Sequence, residues 1–145
     1  MASQFSSDLE VGLSLETQIQ SKNRLVRGKS AGSLTPRVWL DCLKSLLADP
    51  EYETRYDEIW DFRDDTQISC TFEECEKFLG AEASLRPDST ERRVAIVVGD
   101  EATYGIARMF QELADSRGHG GIQVFRSLDS AEDWIDSSQI GFPAC

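Results

Sequence analysis

A run of five apolar residues, Val94-Ala95-Ile96-Val97-Val98, constrains this chain more than any other segment. β-Branched side chains favour extended backbone, and a strand that is apolar at every position has no face suited to water. Both faces must be covered, which is the condition of a central parallel strand in an α/β sheet. Together with Arg92 and Arg93 the strand is expected over 92–98, ended by Gly99-Asp100. A helix is expected next, from Glu101 to about Arg117, with Ile106, Phe110 and Leu113 inward and Gly118 closing it.

The flanking segments supply neighbours for that strand. Leu13 to Ile19 and Arg24 to Ala31 read as extended stretches joined by Gln20-Ser21-Lys22-Asn23, a hairpin connection. The small residues Val26, Gly28 and Ser30 share one side of the second stretch and leave room for a closely packed helix or a small cavity. Thr35 and Pro36 open a first helix, with Leu34 positioned to staple onto Trp39, and Asp49-Pro50 ends it. Glu58 to Arg63 reads as a strand with aromatic residues on one side and Ile59, Asp61 and Arg63 on the other. Thr71-Phe72-Glu73-Glu74 is a capping-box pattern that starts a second helix through Cys75, Phe78 and Leu79. A polar loop is expected from Gly80 to Glu91, a last strand over Ile122 to Arg126, and a fourth helix from Asp129 through Trp134 and Ile135. The expected class is α/β, with a single mixed sheet: an antiparallel hairpin, then alternating strands and helices, covered by about four helices. One domain over 9–136 is expected, between a Ser-rich N-terminus at 1–8 and a tail at 137–145.

Charge narrows the partners. The 145 residues carry 26 Asp and Glu against 15 Lys and Arg, a formal net charge of -11. That excess repels phosphate backbones and anionic headgroups, and no basic stripe offsets it, so neither nucleic acid nor a membrane is an expected partner. No apolar stretch is long enough to span a bilayer and no leader pattern opens the chain, so a cytoplasmic location is expected. Cys42, Cys70, Cys75 and Cys145 lack metal or redox spacing, and with His119 as the single histidine they are expected to be free thiols, with no metal site and no cofactor. The same lone histidine, in a Gly-rich turn, leaves no nucleophile–base pair. The chain is therefore expected not to be an enzyme.

Three segments carry a resemblance: Asp61-Phe62-Arg63 at a strand end, Tyr104-Gly105-Ile106-Ala107-Arg108-Met109-Phe110 in the central helix, and Val124-Phe125-Arg126 followed by Ala131 and Trp134-Ile135. In these the chain resembles the SpoIIAA-like branch of the STAS superfamily, named for sulfate transporters and anti-sigma-factor antagonists. The resemblance implies a small mixed-sheet domain without known catalytic activity, acting through protein contacts or an occasional bound small molecule. Anti-sigma-factor antagonists are switched by phosphorylation of a Ser or Thr within an Asp-Ser-x-Gly setting. The matching stretch here, Arg63 to Thr71, lacks that motif but offers Thr66, Ser69 and Thr71, of which Ser69 and Thr71 are the candidate acceptors and helix capping is the alternative role of Thr71.

Asp61, Arg63, Tyr104 and Arg108 form the other candidate constellation. Tyr104 and Arg108 share a helix face and Asp61 and Arg63 a strand face, so the four could meet as an ion-pair network or as a pocket for an anion. A regulatory protein-interaction module is the expected function, with a protein partner that could be a second copy of the chain. The alternative is a small-molecule or lipid-binding domain with a pocket between sheet and helices, along the stripe of Ile106, Met109 and Phe110. A phospho-acceptor receiver domain fits poorly, because Arg126 stands where such a site needs a lysine.

Overall fold

The computed structural model describes residues 14–64, 66–86, 92–118 and 121–140. Strands β1 (Ser14–Gln20) and β2 (Leu25–Leu34) form the antiparallel hairpin, turned by a short 3-10 segment at Ser21–Asn23 and by Arg24 in the left-handed region at φ 55°. Then follow α1 (Pro36–Leu47), β3 (Asp57–Phe62), β4 (Thr66–Ile68), α2 (Phe72–Leu85), β5 (Val94–Val98), α3 (Glu101–Ser116), β6 (Ile122–Phe125) and α4 (Leu128–Ile140). The sheet has six strands in the order β1-β2-β3-β5-β6, with β4 paired to β2. All pairings except β1–β2 are parallel. This is the mixed α/β sheet expected, and β5 lies inside it, buried at all five positions.

Side-chain parity divides the core in two. On one face Val26, Leu34, Trp60, Phe62, Ile96, Val98 and Val124 pack under α1, α2 and α3. Trp39 of α1 is the hub there, its ring 5.3 to 5.7 Å from those of Trp60, Phe62, Phe78 and Phe110. On the other face Leu25, Ile59, Ala95 and Val97 pack against Ala131 and Ile135 of α4. The space beside Gly28 is taken up by Trp60 of the neighbouring strand, rather than by a helix or a cavity. A Cβ on Gly28 would stand 2.2 Å from the indole ring.

β2 runs on to Leu34, past the expected end at Ala31, and other elements also differ from expectation. Gly80 does not end α2, which continues to Leu85. The glycine costs about 1 kcal/mol of helix propensity, and the last turn beyond it is anchored by the buried side chains of Glu82 and of Arg86, the helix's C-cap. β4 was not anticipated: its three residues are too few to show periodicity, yet they pair with Gly32–Leu34 at the far end of β2. Finally, α4 begins at Leu128 and extends to Ile140, into the stretch expected to be a tail.

The outer edge of β6 is closed in a specific way. The Val124 amide donates to Gln111 Oε1 of α3 at 3.2 Å, so a helix side chain takes a bond that another strand would make. At the opposite edge β1 carries the exposed polar residues Glu16 and Gln18.

Candidate functional site

Because β2, β3, β5 and β6 are parallel, the sheet has an amino end and a carboxyl end, and the two are built differently. At the amino end lies a buried charge network. Glu58, at the start of β3, has the same parity as Trp60 and points into the core. Its carboxylate accepts from Arg86 Nη1 at 2.5 Å and from the Trp60 indole N–H at 2.9 Å, and Arg92 Nε stands 3.2 Å from it as an ion pair. Glu82 receives Arg86 Nη2 at 2.6 Å and also Arg92 Nη2. Arg86 further donates to the Tyr52 hydroxyl at 2.6 Å. Two carboxylates thus balance two guanidinium groups out of water, the condition under which buried charge is tolerated.

The electrostatics follow from this packing. Burial by itself would raise the Glu58 pKa, but Arg86 and Arg92 outweigh it and hold the carboxyl below its ordinary value. Burial opposes the charge on Arg86 as well, and Glu58 reverses that effect. Close by, burial pushes the Cys42 thiol up to about 12, with Glu58 adding to the shift. Cys42 is therefore an inert core thiol.

At the carboxyl end an apolar cleft opens between the starts of α1 and α2 and the middle of α3. Leu34, Trp39, Ile68, Phe78, Ile96, Ile106 and Phe110 line it, with Cys70 and Cys75 on one wall. It encloses about 30 Å³, room for a small group but not for a whole metabolite. On the first turn of α2, between Cys70 and Cys75 of that wall in the sequence, Phe72 is 54% exposed, the one large apolar side chain so placed among the described residues. Exposed Glu73 and Glu74 follow it.

The four residues expected to meet do not meet. Asp61 lies on the α4 face of the sheet and binds Arg63 through two hydrogen bonds of 2.9 Å, which hold its carboxyl below the usual range. Tyr104 and Arg108 belong to α3, on the opposite face. Tyr104 lies under the Arg126 guanidinium, 4.0 Å from its ring centre, and Arg108 pairs with Glu112 at 3.4 Å. The helix face and the strand face that carry these residues lie on opposite sides of the sheet. Of the stripe expected to line a pocket, Ile106 and Phe110 do so, while Met109 packs against the core.

The hydroxyls fall into distinct settings. Thr71 is the N-cap of α2: its Oγ1 accepts from the Glu74 amide at 3.1 Å, and its own amide donates to Glu74 Oε1 at 2.9 Å, completing the capping box. Ser69 is exposed, with its amide donating to Leu34 O at 2.9 Å. Thr66 is buried, donating to Ser30 O at 2.5 Å.

The expectation of free thiols needs correction. Cys70 and Cys75 are joined by a disulfide across a Cα separation of 6.2 Å, a distance that a bridge can span. Capping makes this possible: the chain turns at Thr71, so Cys70 lies against the first turn of the helix that holds Cys75. Asp65, His119 and Cys145 lie outside the described residues. Among those described, no cluster of three or more metal-ligating side chains occurs, and no helix is long and apolar enough to cross a membrane.

What sequence reasoning missed is the buried network. Its signals were the Glu82–Arg86 spacing of four and the parity of Glu58 with Trp60 and Phe62.

By sequence, no family model and no curated protein matches the chain. Among solved structures it is similar to an uncharacterised protein of the DUF3478 family from Shewanella loihica PV-4, described as having a SpoIIAA-like fold. The likeness has a TM-score of 0.50 at 20% identity and covers 90% of this chain and 98% of the other. With its β-hairpin, parallel strands and helices on both faces of the sheet, the chain has a SpoIIAA-like fold.

Proposed function

We propose that the domain is a non-catalytic interaction module whose contact surface is the carboxyl end of the sheet, centred on Phe72 and the apolar cleft beside it. The exposure of Phe72 carries this reading: a large aromatic left in water next to an apolar groove gains most by being covered. The cleft is too narrow for a lipid chain and suits one apolar side chain of a partner. Glu73 and Glu74, within an acidic chain, favour a partner whose apolar residue is ringed by Lys or Arg. A phosphoryl group on Ser69 or Thr71 would add to that attraction.

Crosslinking and pull-down with the full chain and with Phe72→Ser test the proposal. A basic-surfaced protein held by the wild type, released by salt and lost at least tenfold in the variant is the expected result. Binding indifferent to Phe72 would overturn it. Native mass spectrometry showing a co-purified metabolite, with no protein partner, would favour the small-molecule alternative.

A further inference from the structure

We propose that the Cys70–Cys75 bond is a reversible redox clip that sets the width of the apolar cleft, a device that rests on the contact surface proposed above. Three observations carry it. First, the bond is not needed to hold the start of α2. The Thr71–Glu74 capping box already fixes that turn from both sides, and the Ser69 amide ties the preceding residues to Leu34. A bridge between residues five apart also closes only a short loop, where its effect on the unfolded chain is smaller than for a long one.

Second, the two cysteines differ in access. Cys75 is 2% exposed and fixed in the helix, whereas Cys70 is only half-buried and precedes the cap. A reductant reaches the Cys70 sulfur first. Third, both residues line the cleft, and with the bond in place the cleft holds only about 30 Å³. Beyond its apolar packing, the Cys70 side chain is held against α2, as part of the wall, by this bond. Released, that side chain can turn outward to water and the entrance widens, while the capped helix stays in place.

Thiol–disulfide exchange accomplishes the change. A thiolate of a dithiol reductant attacks Cys70 Sγ, the Sγ–Sγ bond breaks, and Cys75 Sγ leaves as a thiolate and takes a proton. The second thiolate of the reductant then displaces Cys70 Sγ, which is protonated in turn. Two electrons have passed to the protein, and the reductant is left as its own disulfide. A peroxide reverses the change: the two thiols give up two electrons and two protons to form the bond, and hydrogen peroxide is reduced to two waters, or an alkyl hydroperoxide to an alcohol and water.

The test uses the full chain, oxidised with hydrogen peroxide or reduced with dithiothreitol. Alkylation under denaturing conditions and intact mass count the thiols, far-UV circular dichroism follows the fold, and the neutral dye Nile red reports apolar access without repulsion by the acidic surface. The expected result is two fewer alkylated thiols after oxidation, an unchanged dichroism spectrum, and dye emission about threefold higher in the reduced form. Cys70→Ser should match the reduced form in both buffers.

Loss of helical signal on reduction, equal dye emission in the two forms, or free alkylation of both cysteines after oxidation would each overturn the clip. The two proposals fail separately. Phe72-dependent partner binding of equal strength in both redox forms removes the clip alone. A redox-dependent dye response without any Phe72-dependent partner removes the contact surface alone.

Discussion

The two ends of the sheet solve opposite problems. At the amino end, four charged side chains are taken out of water and made to satisfy one another. At the carboxyl end, apolar side chains are left near water, and none of the described residues covers Phe72. A domain built only for stability would do neither, since burying ions gains little over apolar packing and exposing Phe72 forgoes burial. Under the proposed function, the amino end fixes one arrangement of α2 against β3 and β5, and the carboxyl end is the surface offered for contact.

That contrast can be broken most forcefully at Glu58. Glu58→Ala leaves Arg86 and Arg92 buried with half their compensation and should cost about 3–5 kcal/mol, read as a lower urea midpoint. Replacing Arg86, Arg92, Glu58 and Glu82 together by apolar residues should recover much of that loss, whereas truncating any one should not.

The pH dependence follows from the same group. The folded pKa of Glu58 lies below its unfolded value. Its contribution is thus present above the ordinary glutamate range, about pH 4.3, and is lost as pH falls through the lower folded value. Thermal midpoints measured from pH 7 downward should decline on this limb, and Glu58→Gln should flatten it.

Smaller effects sharpen the comparison. Gly28→Ala drives a methyl into Trp60, whose indole holds Glu58, and should cost about 1–3 kcal/mol by denaturant titration. Thr71→Ala, at the open end, should cost about 1 kcal/mol through loss of the cap. Phe72→Ser should change stability by no more than about 0.5 kcal/mol while abolishing partner binding. A large loss of stability from Phe72→Ser would mean that the carboxyl end is structural after all.

How much of this was legible depended on whether the information was local. The β5 run, the Thr35-Pro36 start of α1 and the Thr71–Glu74 box are each written within a few residues and appear as read. β4 owes its existence to β2, more than thirty residues earlier, and three residues alone cannot announce it. The extension of α2 past Gly80 depends on a buried partnership of Glu82 and Arg86 with Glu58 that no local rule supplies. The failed constellation shows the same limit. Helical and strand spacing placed Tyr104 with Arg108 and Asp61 with Arg63, but only the course of the chain decides that α3 and the Asp61 side chain lie on opposite faces of the sheet.

The bond from the Val124 amide to Gln111 Oε1 bears on how copies of this chain behave when crowded. An uncovered edge strand invites another strand to extend the sheet, the first step of many aggregates. Here β6 is only four residues long and one of its outward amides is occupied by α3, while β1 presents Glu16 and Gln18 at the other edge. Both features work against extension of the sheet by a further strand, the kind of protection that edge strands need where an aromatic such as Phe72 is also left in water.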